Sequence, residues 1–247
     1  MTNFKDQAPL IKEIKNIVSK NNFLKYSYDN GQEALRLDFK TKKDHNIKPY
    51  LVSAEKTALE LGSPYDLAFN SLLWTKRSDL LKDRIWVSGS DFRKIKKSPI
   101  PFAYLLVFQI PESFDPTDPN FKSNKNLSNK IPGLMTRSLP GKMWIRLHQD
   151  LIKNNFSLFS LGQCLVFSFK EKFPELKGFE IFIISENLEL IMALESIHKR
   201  ALLISSENSK LVLEENGLLS CEDFNCSVCS EKEACDTIRE AIRKKKS

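Results

Sequence analysis

The sequence predicts an α+β fold, with a mixed or mainly antiparallel sheet, flanking helices and a C-terminal cysteine-rich metal-binding segment. Apolar residues recur at helical spacing in some stretches and form short strand-length runs in others, without a strict βαβ rhythm. With 247 residues and 41% hydrophobic content, the chain is long enough for one sizeable core or for a domain with a small appendage. We therefore predict a helix and strand in residues 1–50, an α+β domain in 51–215, and a cysteine-rich tail with a C-terminal helix in 216–247.

The first half of the chain contains two predicted helices and four predicted strands. A helix should run from Pro9 through Val18, because proline suits the first turn. A second should span 53–62, with Gly62 ending it. Runs that are apolar, or that alternate with polar residues, predict strands at 35–39, 67–74, 84–87 and 102–110. The last of these runs is almost entirely apolar, so we place it in the middle of a sheet.

The second half begins with a predicted long loop at 111–142, rich in proline, asparagine and serine. After it we predict a strand at 143–147, a helical turn at 150–154, a helix at 158–173, a strand at 179–184, and a helix at 188–197 capped by Ser185. Cys164 lies on the apolar helix at 158–173. We interpret it as a small buried side chain and not as a ligand.

Four of the five cysteines lie within residues 221–235, at Cys221, Cys226, Cys229 and Cys235. Their spacing is C-x4-C-x2-C-x5-C. A loop that turns twice can bring four sulfurs to the corners of a tetrahedron, the geometry shared by zinc and iron-sulfur sites. The residues 230–233 form a capping box, so a helix should begin inside the cluster and carry Cys235.

The spacing leaves the metal open. Structural zinc commonly uses two C-x2-C pairs, and only Cys226 and Cys229 form one, so the asymmetry favours an iron-sulfur cluster, with a four-iron cluster expected. Zinc is the alternative, and free or disulfide-paired thiols are the third interpretation. In a reducing compartment a cysteine cluster binds metal more often than it forms disulfides.

Composition and motifs exclude several classes. No apolar run approaches the roughly 18 residues of a membrane span, and the N-terminus lacks an apolar signal segment. We therefore expect a cytoplasmic protein without membrane insertion. No glycine-rich phosphate loop, nucleophile elbow or paired-histidine zinc helix occurs. His148 and His198 stand apart from any such motif, so we assign neither a catalytic role.

The net charge of +7 comes from 38 basic and 31 acidic residues, which are mostly interspersed. Two basic runs stand out, at 93–97 and 243–246. Such runs can meet nucleic acid, a phosphate-bearing cofactor or an acidic protein, although a solvated surface is the ordinary interpretation. Nucleic acid ranks last among the partners because the aromatic residues are accounted for by the core.

Several segments between residues 50 and 205 resemble one known family. They are Glu60-Leu-Gly-Ser-Pro64, Ser71-Leu-Leu-Trp-Thr75, Arg84-Ile-Trp-Val87, Trp144-Ile-Arg-Leu147 with Asp150, Phe159-Ser-Leu-Gly162, Phe169-Lys-Glu-Lys-Phe-Pro174 and Phe179-Glu-Ile-Phe-Ile183. In this order they resemble the middle α+β domain of the beta subunit of carbon monoxide dehydrogenase/acetyl-CoA synthase. That domain precedes a cysteine-rich domain in which a four-iron cluster is bridged to a dinuclear nickel site.

The resemblance implies only part of the family's chemistry. The candidate ligands for a four-iron cluster are Cys221, Cys226, Cys229 and Cys235. Their spacing is tighter than in the family, and no Cys-Gly-Cys segment follows Cys235. We therefore expect no dinuclear nickel site and no complete acetyl-CoA synthase. The family's middle domain also implies possible coenzyme A contacts at Trp144 and Arg146. A core tryptophan with an outward-reaching arginine is the simpler interpretation.

Three function hypotheses follow. The first is an iron-sulfur accessory or electron-transfer subunit that works beside a larger anaerobic one-carbon or acyl-CoA enzyme, or beside a redox partner protein. The second is a zinc-stabilised protein-interaction module without a redox role. The third is a nucleic-acid binder that uses the two basic runs.

Overall fold

The structure, a computed structural model, describes residues 4–28, 52, 54–63, 67–118, 120–121, 131, 133–139 and 142–208. The chain divides into two units, Met1–Ser205 and Ser206–Ser247. Apart from the end of the last helix, everything below belongs to the first unit. The predicted domain boundaries after residues 50 and 215 fall outside the described residues.

The described part contains both α-helices and β-strands. The α-helices are α1 (Ala8–Ser19), α2 (Gln149–Lys153), α3 (Leu158–Lys172) and α4 (Leu188–Asn208). The strands are β1 (Leu24–Ser27), β2 (Thr57–Leu61), β3 (Ala68–Thr75), β4 (Arg84–Ser88), β5 (Phe102–Gln109), β6 (Leu134–Leu139), β7 (Lys142–His148) and β8 (Phe179–Ser185). Short 3-10 turns occupy Ala54–Lys56, Ser78–Leu80 and Phe92–Lys94.

The strands form two sheets. The larger has the order β1-β4-β8-β5-β3 and is mixed: β3 is parallel to β5 and β4 to β8, whereas β5 and β8 are antiparallel. The smaller is antiparallel, with the order β2-β7-β6. An isolated bridge between Leu61 and Ile100 joins β2 to the residues before β5. The predicted fold class, α+β with a mixed sheet and flanking helices, is confirmed, while the predicted cysteine-rich segment lies outside the described residues.

The large sheet is buried on both faces. Along β5, Tyr104 and Leu106 point to one core and Leu105 and Val107 to the other, as the two-residue period of a strand requires. One core contains α1 and α4, and the other contains α3 and the inner face of the small sheet. This explains why the 102–110 run is apolar apart from Gln109. Its predicted interior position in the sheet is confirmed.

The C-terminal end of the β3 edge is covered by side chains that precede α1. Gln7, which is fully buried, accepts the Trp74 N–H through Oε1 at 3.0 Å. Asp6 Oδ2 accepts the Lys76 N–H at 3.0 Å and the Thr75 hydroxyl at 3.2 Å. These carboxylate and amide oxygens take the place of a neighbouring strand, because buried backbone donors need an acceptor.

An ion pair links α1 to β8 from the same side of the sheet. Lys15 Nζ lies 2.9 Å from Glu180 Oε2, and it also donates to the Leu80 carbonyl. Glu180 is fully buried, and neither of its carboxylate oxygens receives a well-directed hydrogen bond from the described residues. Burial raises the pKa of Glu180, and the charge of Lys15 opposes part of that rise.

Most predicted elements in the described part are confirmed. They are the helices at α1 and α3, the turn at α2, the strands β3, β4, β5, β7 and β8, and the start of α4. The predicted strand at 35–39 lies outside the described residues. Among the residues described, no helix has both the length and the apolar character needed to cross a membrane.

The predicted helix at 53–62 is wrong, because most of this segment forms β2. Its alanine, leucines and glutamate favour a helix in isolation. However, Leu59 and Leu61 are 2% and 0% exposed on one side of an extended chain, and β7 supplies the backbone pairing. Gly62 does end the element, with a φ of 69°.

Two further expectations are corrected. The predicted loop at 111–142 contains the strand β6, which lies at the edge of the small sheet and is followed directly by Pro140, where proline is tolerated. Ser185 does not cap α4. The Asn187 side chain accepts the Leu190 N–H at 3.0 Å, while the buried Ser185 hydroxyl has no hydrogen-bond partner among the described residues.

Candidate functional site

The four predicted metal ligands, Cys221, Cys226, Cys229 and Cys235, lie outside the described residues. The predicted capping box at 230–233 lies there too. Within the described ranges, no group of three or more histidine, cysteine, aspartate or glutamate side chains is placed to hold a metal ion. The metal site therefore stays a prediction from the cysteine spacing.

The fifth cysteine, Cys164, sits on α3 inside the core. It is 3% exposed, which confirms the predicted buried side chain. Burial raises the pKa of its thiol to about 12. Because the thiolate is the form that binds metals and attacks electrophiles, a thiol that stays protonated near pH 7 is a poor ligand and a poor nucleophile.

His148 and His198 each make contacts that stabilise a helix. His198 on α4 shares a hydrogen bond through Nδ1 with the Ser71 hydroxyl of β3, and its ring stacks on Phe69 at 4.7 Å. His198 and Ser71 are 6% and 3% exposed. His148 Nδ1 accepts the Asp150 N–H at 3.1 Å and so caps α2. These contacts give both histidines a structural role.

Trp144 and Arg146 lie on the outer face of the small sheet. Along β7 they alternate with Ile145 and Leu147, which are 1% and 0% exposed and belong to the core. Residues two positions apart on a strand share a face, so the tryptophan and the arginine are neighbours. The Arg146 guanidinium carbon lies over the Trp144 ring at 4.2 Å from its centroid.

A third residue, Glu60 of β2, completes this group. Glu60 stands directly opposite Arg146 in the β2/β7 register, and Arg146 Nε donates to Glu60 Oε1 at 2.6 Å. The two side chains are 22% and 23% exposed. We call Glu60, Trp144 and Arg146 the guanidinium platform. The indole N–H of Trp144 is buried and has no hydrogen-bond partner in the described part of the chain.

Part of the Arg146 guanidinium has no hydrogen-bond partner among the described residues. The Nε of Arg146 is bound by Glu60, but neither terminal nitrogen, Nη1 or Nη2, has a partner among the described residues. A guanidinium edge with two parallel N–H donors matches the geometry of a phosphate or carboxylate group. The arrangement can therefore accept an anionic group at its open edge.

Sequence reasoning identified Trp144 and Arg146 but missed Glu60 as their partner. The signal that could have found it is the alternation from Thr57 to Leu61, which places Glu60 opposite the core-facing leucines once the segment is taken as a strand. The helix interpretation of 53–62 removed that possibility. If this segment were a helix, no strand pairing would bring Glu60 next to Arg146, which lies 86 residues later in the chain.

The basic run at 93–97 is exposed apart from Ile95, which is half-buried. Arg93 is engaged: its guanidinium binds the Asp91 carboxylate, and its Nη1 donates to Asn155 Oδ1 at 2.9 Å. These hydrogen bonds lower the pKa of Asp91 to about 2. The lysines of the run therefore carry the cationic charge of this surface. The second basic run, at 243–246, lies outside the described residues.

Comparison with known proteins adds no assignment. No protein-family model matches the chain, and no curated protein matches it.

Proposed function

We propose that this chain is an accessory or electron-transfer subunit that carries an iron-sulfur cluster beside an α+β domain. Its partner would be a larger anaerobic enzyme of one-carbon or acyl-CoA metabolism, or a redox protein. The dinuclear nickel site of acetyl-CoA synthases is not part of this proposal. The resemblance in residues 50–205 supports the choice of partner, and the cysteines support the choice of cofactor.

One observation carries the metal assignment: four of the five cysteines lie within residues 221–235. The fifth, Cys164, is set aside by its burial and its raised pKa. The donor set is thus four thiols from one short segment, which suits an iron-sulfur cluster and also suits Zn²⁺. When bound, an iron-sulfur cluster would supply one-electron transfer, whereas zinc would only stabilise the tail.

Metal analysis of protein purified without air tests the proposal. Roughly four iron and four sulfide ions per chain, with broad absorption near 400 nm, would support a four-iron cluster. One zinc per chain without visible absorption would replace it by the zinc-stabilised interaction module. A chain that binds neither metal would overturn both.

The ligand assignment is tested by single replacements. Cys226→Ser and Cys229→Ser should each lose most of the bound metal, because a cluster or a zinc ion needs all four thiolates. Cys164→Ala is the matched control and should keep the full metal content. If Cys164→Ala abolished metal binding while Cys226→Ser did not, the ligand set would be wrong.

A second candidate function concerns the guanidinium platform. We propose that Trp144 and Arg146 contact a phosphate-bearing ligand of the coenzyme A type, as the family resemblance implies. The supporting observation is the open Nη1 and Nη2 edge of Arg146, whose guanidinium carbon lies 4.2 Å from the centroid of the Trp144 ring. Planar guanidinium groups are preferred over lysine wherever two parallel hydrogen bonds to a phosphate are needed.

Calorimetric titration with coenzyme A tests this second candidate. Arg146→Lys should weaken binding by roughly tenfold, because lysine cannot reproduce a two-pronged contact. Arg77→Lys is the matched control, since Arg77 is also paired with a carboxylate, that of Asp79, far along the chain from the platform. Equal losses in the two variants, or no binding by the unaltered protein, would remove the coenzyme A proposal.

A further inference from the structure

The position of Glu60 is set by the structure around its backbone. Its neighbours Leu59 and Leu61 are buried in the core, which turns the Glu60 side chain to the outer face of the small sheet. On the side of β2 away from β7, the Glu60 N–H donates to Ser98 Oγ at 2.7 Å. The Glu60 carbonyl accepts the Ile100 N–H at 3.1 Å. The carboxylate is therefore presented from a backbone that is fixed on both sides.

The contact between Glu60 and Arg146 is made at one edge of the guanidinium only. Glu60 Oε1 accepts the Nε–H at 2.6 Å, and the guanidinium carbon lies over the Trp144 ring at 4.2 Å from its centroid. Rotation about the last side-chain bonds of Arg146 would break one of these two contacts. A long, flexible side chain is thus confined to the orientation in which its terminal nitrogens form the open edge.

We propose that Glu60 is a positioning residue for Arg146. It holds the guanidinium against Trp144 so that Nη1 and Nη2 are ready to receive a phosphate or carboxylate group. This inference rests on the proposed anionic ligand of the guanidinium platform, and it gives Glu60 a role that the sequence analysis did not assign to it. The basic run at 93–97 ends one residue before Ser98, so the chain beside Glu60 also brings cationic charge to this part of the surface.

Glu60 has two effects on an anionic ligand, and they have opposite signs. Its negative charge lies beside Arg146 and weakens the attraction for an anion. Its hydrogen bond fixes the arginine and so strengthens binding. Glu60→Gln removes the charge but keeps an oxygen acceptor for Nε–H. Glu60→Ala removes both the charge and the acceptor.

The two variants therefore separate positioning from charge in a calorimetric titration with coenzyme A. For a positioning residue, Glu60→Gln should bind as tightly as the unaltered protein or about threefold tighter, because one repulsive charge is gone. Glu60→Ala should bind roughly tenfold more weakly, because the orientation is lost. Glu55→Ala, at an exposed residue just before β2, is the matched control and should change little. If Glu60→Ala bound at least as tightly as Glu60→Gln, Glu60 would act through its charge alone and the proposal would fall.

A measurement without ligand keeps this inference separate from the ligand proposal. The Nε–H signal of Arg146 in a nitrogen-15 NMR spectrum, assigned by its loss in Arg146→Lys, should exchange slowly with water in the unaltered protein and in Glu60→Gln. It should exchange fast in Glu60→Ala. Slow exchange without coenzyme A binding would support positioning and refute the ligand. Fast exchange in the unaltered protein would refute positioning, whatever binds.

Discussion

The ion pair between Lys15 and Glu180 makes a prediction that tests how α1 is held on the sheet. Lys15→Met leaves the fully buried Glu180 carboxylate without its cation at 2.9 Å. Removing one member of a buried pair costs about 3 kcal/mol at pH 7, since an uncompensated charge remains in the core. For a domain of this size that loss lowers Tm by about 6–12 °C.

Replacing the other member should behave differently. Glu180→Gln removes the buried charge itself, and Lys15, whose side chain is 28% exposed, can still reach water. Its stability at pH 7 should therefore lie within about 1 kcal/mol of the unaltered protein. The double variant should recover most of the loss caused by Lys15→Met, with a coupling of about 2 kcal/mol.

The pH dependence has a definite sign. Burial raises the pKa of Glu180, so the folded protein holds this proton more tightly than the unfolded chain. The stability that Glu180 contributes is therefore complete below its unfolded pKa of about 4.3 and is lost as pH rises through the higher folded value. Lys15→Met raises that folded pKa further, so its cost should shrink as pH falls towards 4.

Urea unfolding at several pH values measures these differences. Lys12→Met, at an exposed position of α1, is the matched control and should change stability by less than about 0.5 kcal/mol. The reasoning fails if Lys15→Met costs no more than this control at pH 7, or if Glu180→Gln is as damaging as Lys15→Met.

Three shorter predictions concern a helix cap, a crowded glycine and the buried cysteine. Asn187→Ala should lower the free energy of unfolding by about 1 kcal/mol, because it removes the cap of α4. Ser185→Ala should be neutral or slightly stabilising, because the buried Ser185 hydroxyl has no partner in the described structure. Urea unfolding of the two variants measures the difference. Gly89→Ala should cost about 2 kcal/mol, since a Cβ would lie 2.0 Å from Ser185 Oγ at a φ of 151°, and adding Ser185→Gly should recover only the part due to that contact. Cys164, with a thiol pKa of about 12, should resist iodoacetamide at pH 8 in the folded protein and react once urea is added, as mass spectrometry of its peptide would show; labelling in the folded state would contradict its burial.

The sequence predicted those elements whose local pattern agrees with their packing. The 102–110 run is apolar because both faces of β5 are buried, so pattern and environment coincide. The segment 53–62 shows the opposite case, because its residues favour a helix while the pairing of β2 with β7 and the burial of Leu59 and Leu61 require a strand. Helix propensity alone could not show that strand pairing and burial would outweigh it.

The candidate sites divide in the same way. The cysteine quartet is predicted because its members are close in sequence, and it stays a prediction, whereas the burial of Cys164 could be predicted from its apolar surroundings and is confirmed. The partnership of Glu60 with Arg146 spans 86 residues and depends on strand register, which is a property of the folded sheet. The contact between Ser71 and His198 spans 127 residues and was equally out of reach.

The side chains of Asp6 and Gln7 have a consequence for how this protein behaves among copies of itself. By accepting the N–H groups of Trp74 and Lys76, they occupy the C-terminal end of the β3 edge and hinder another extended chain from pairing there. Without these two side chains, the backbone N–H groups at this edge of β3 would be free to pair with a further strand. Loss of the Asp6 and Gln7 side chains should therefore first cause aggregation of largely folded molecules, before any cooperative unfolding.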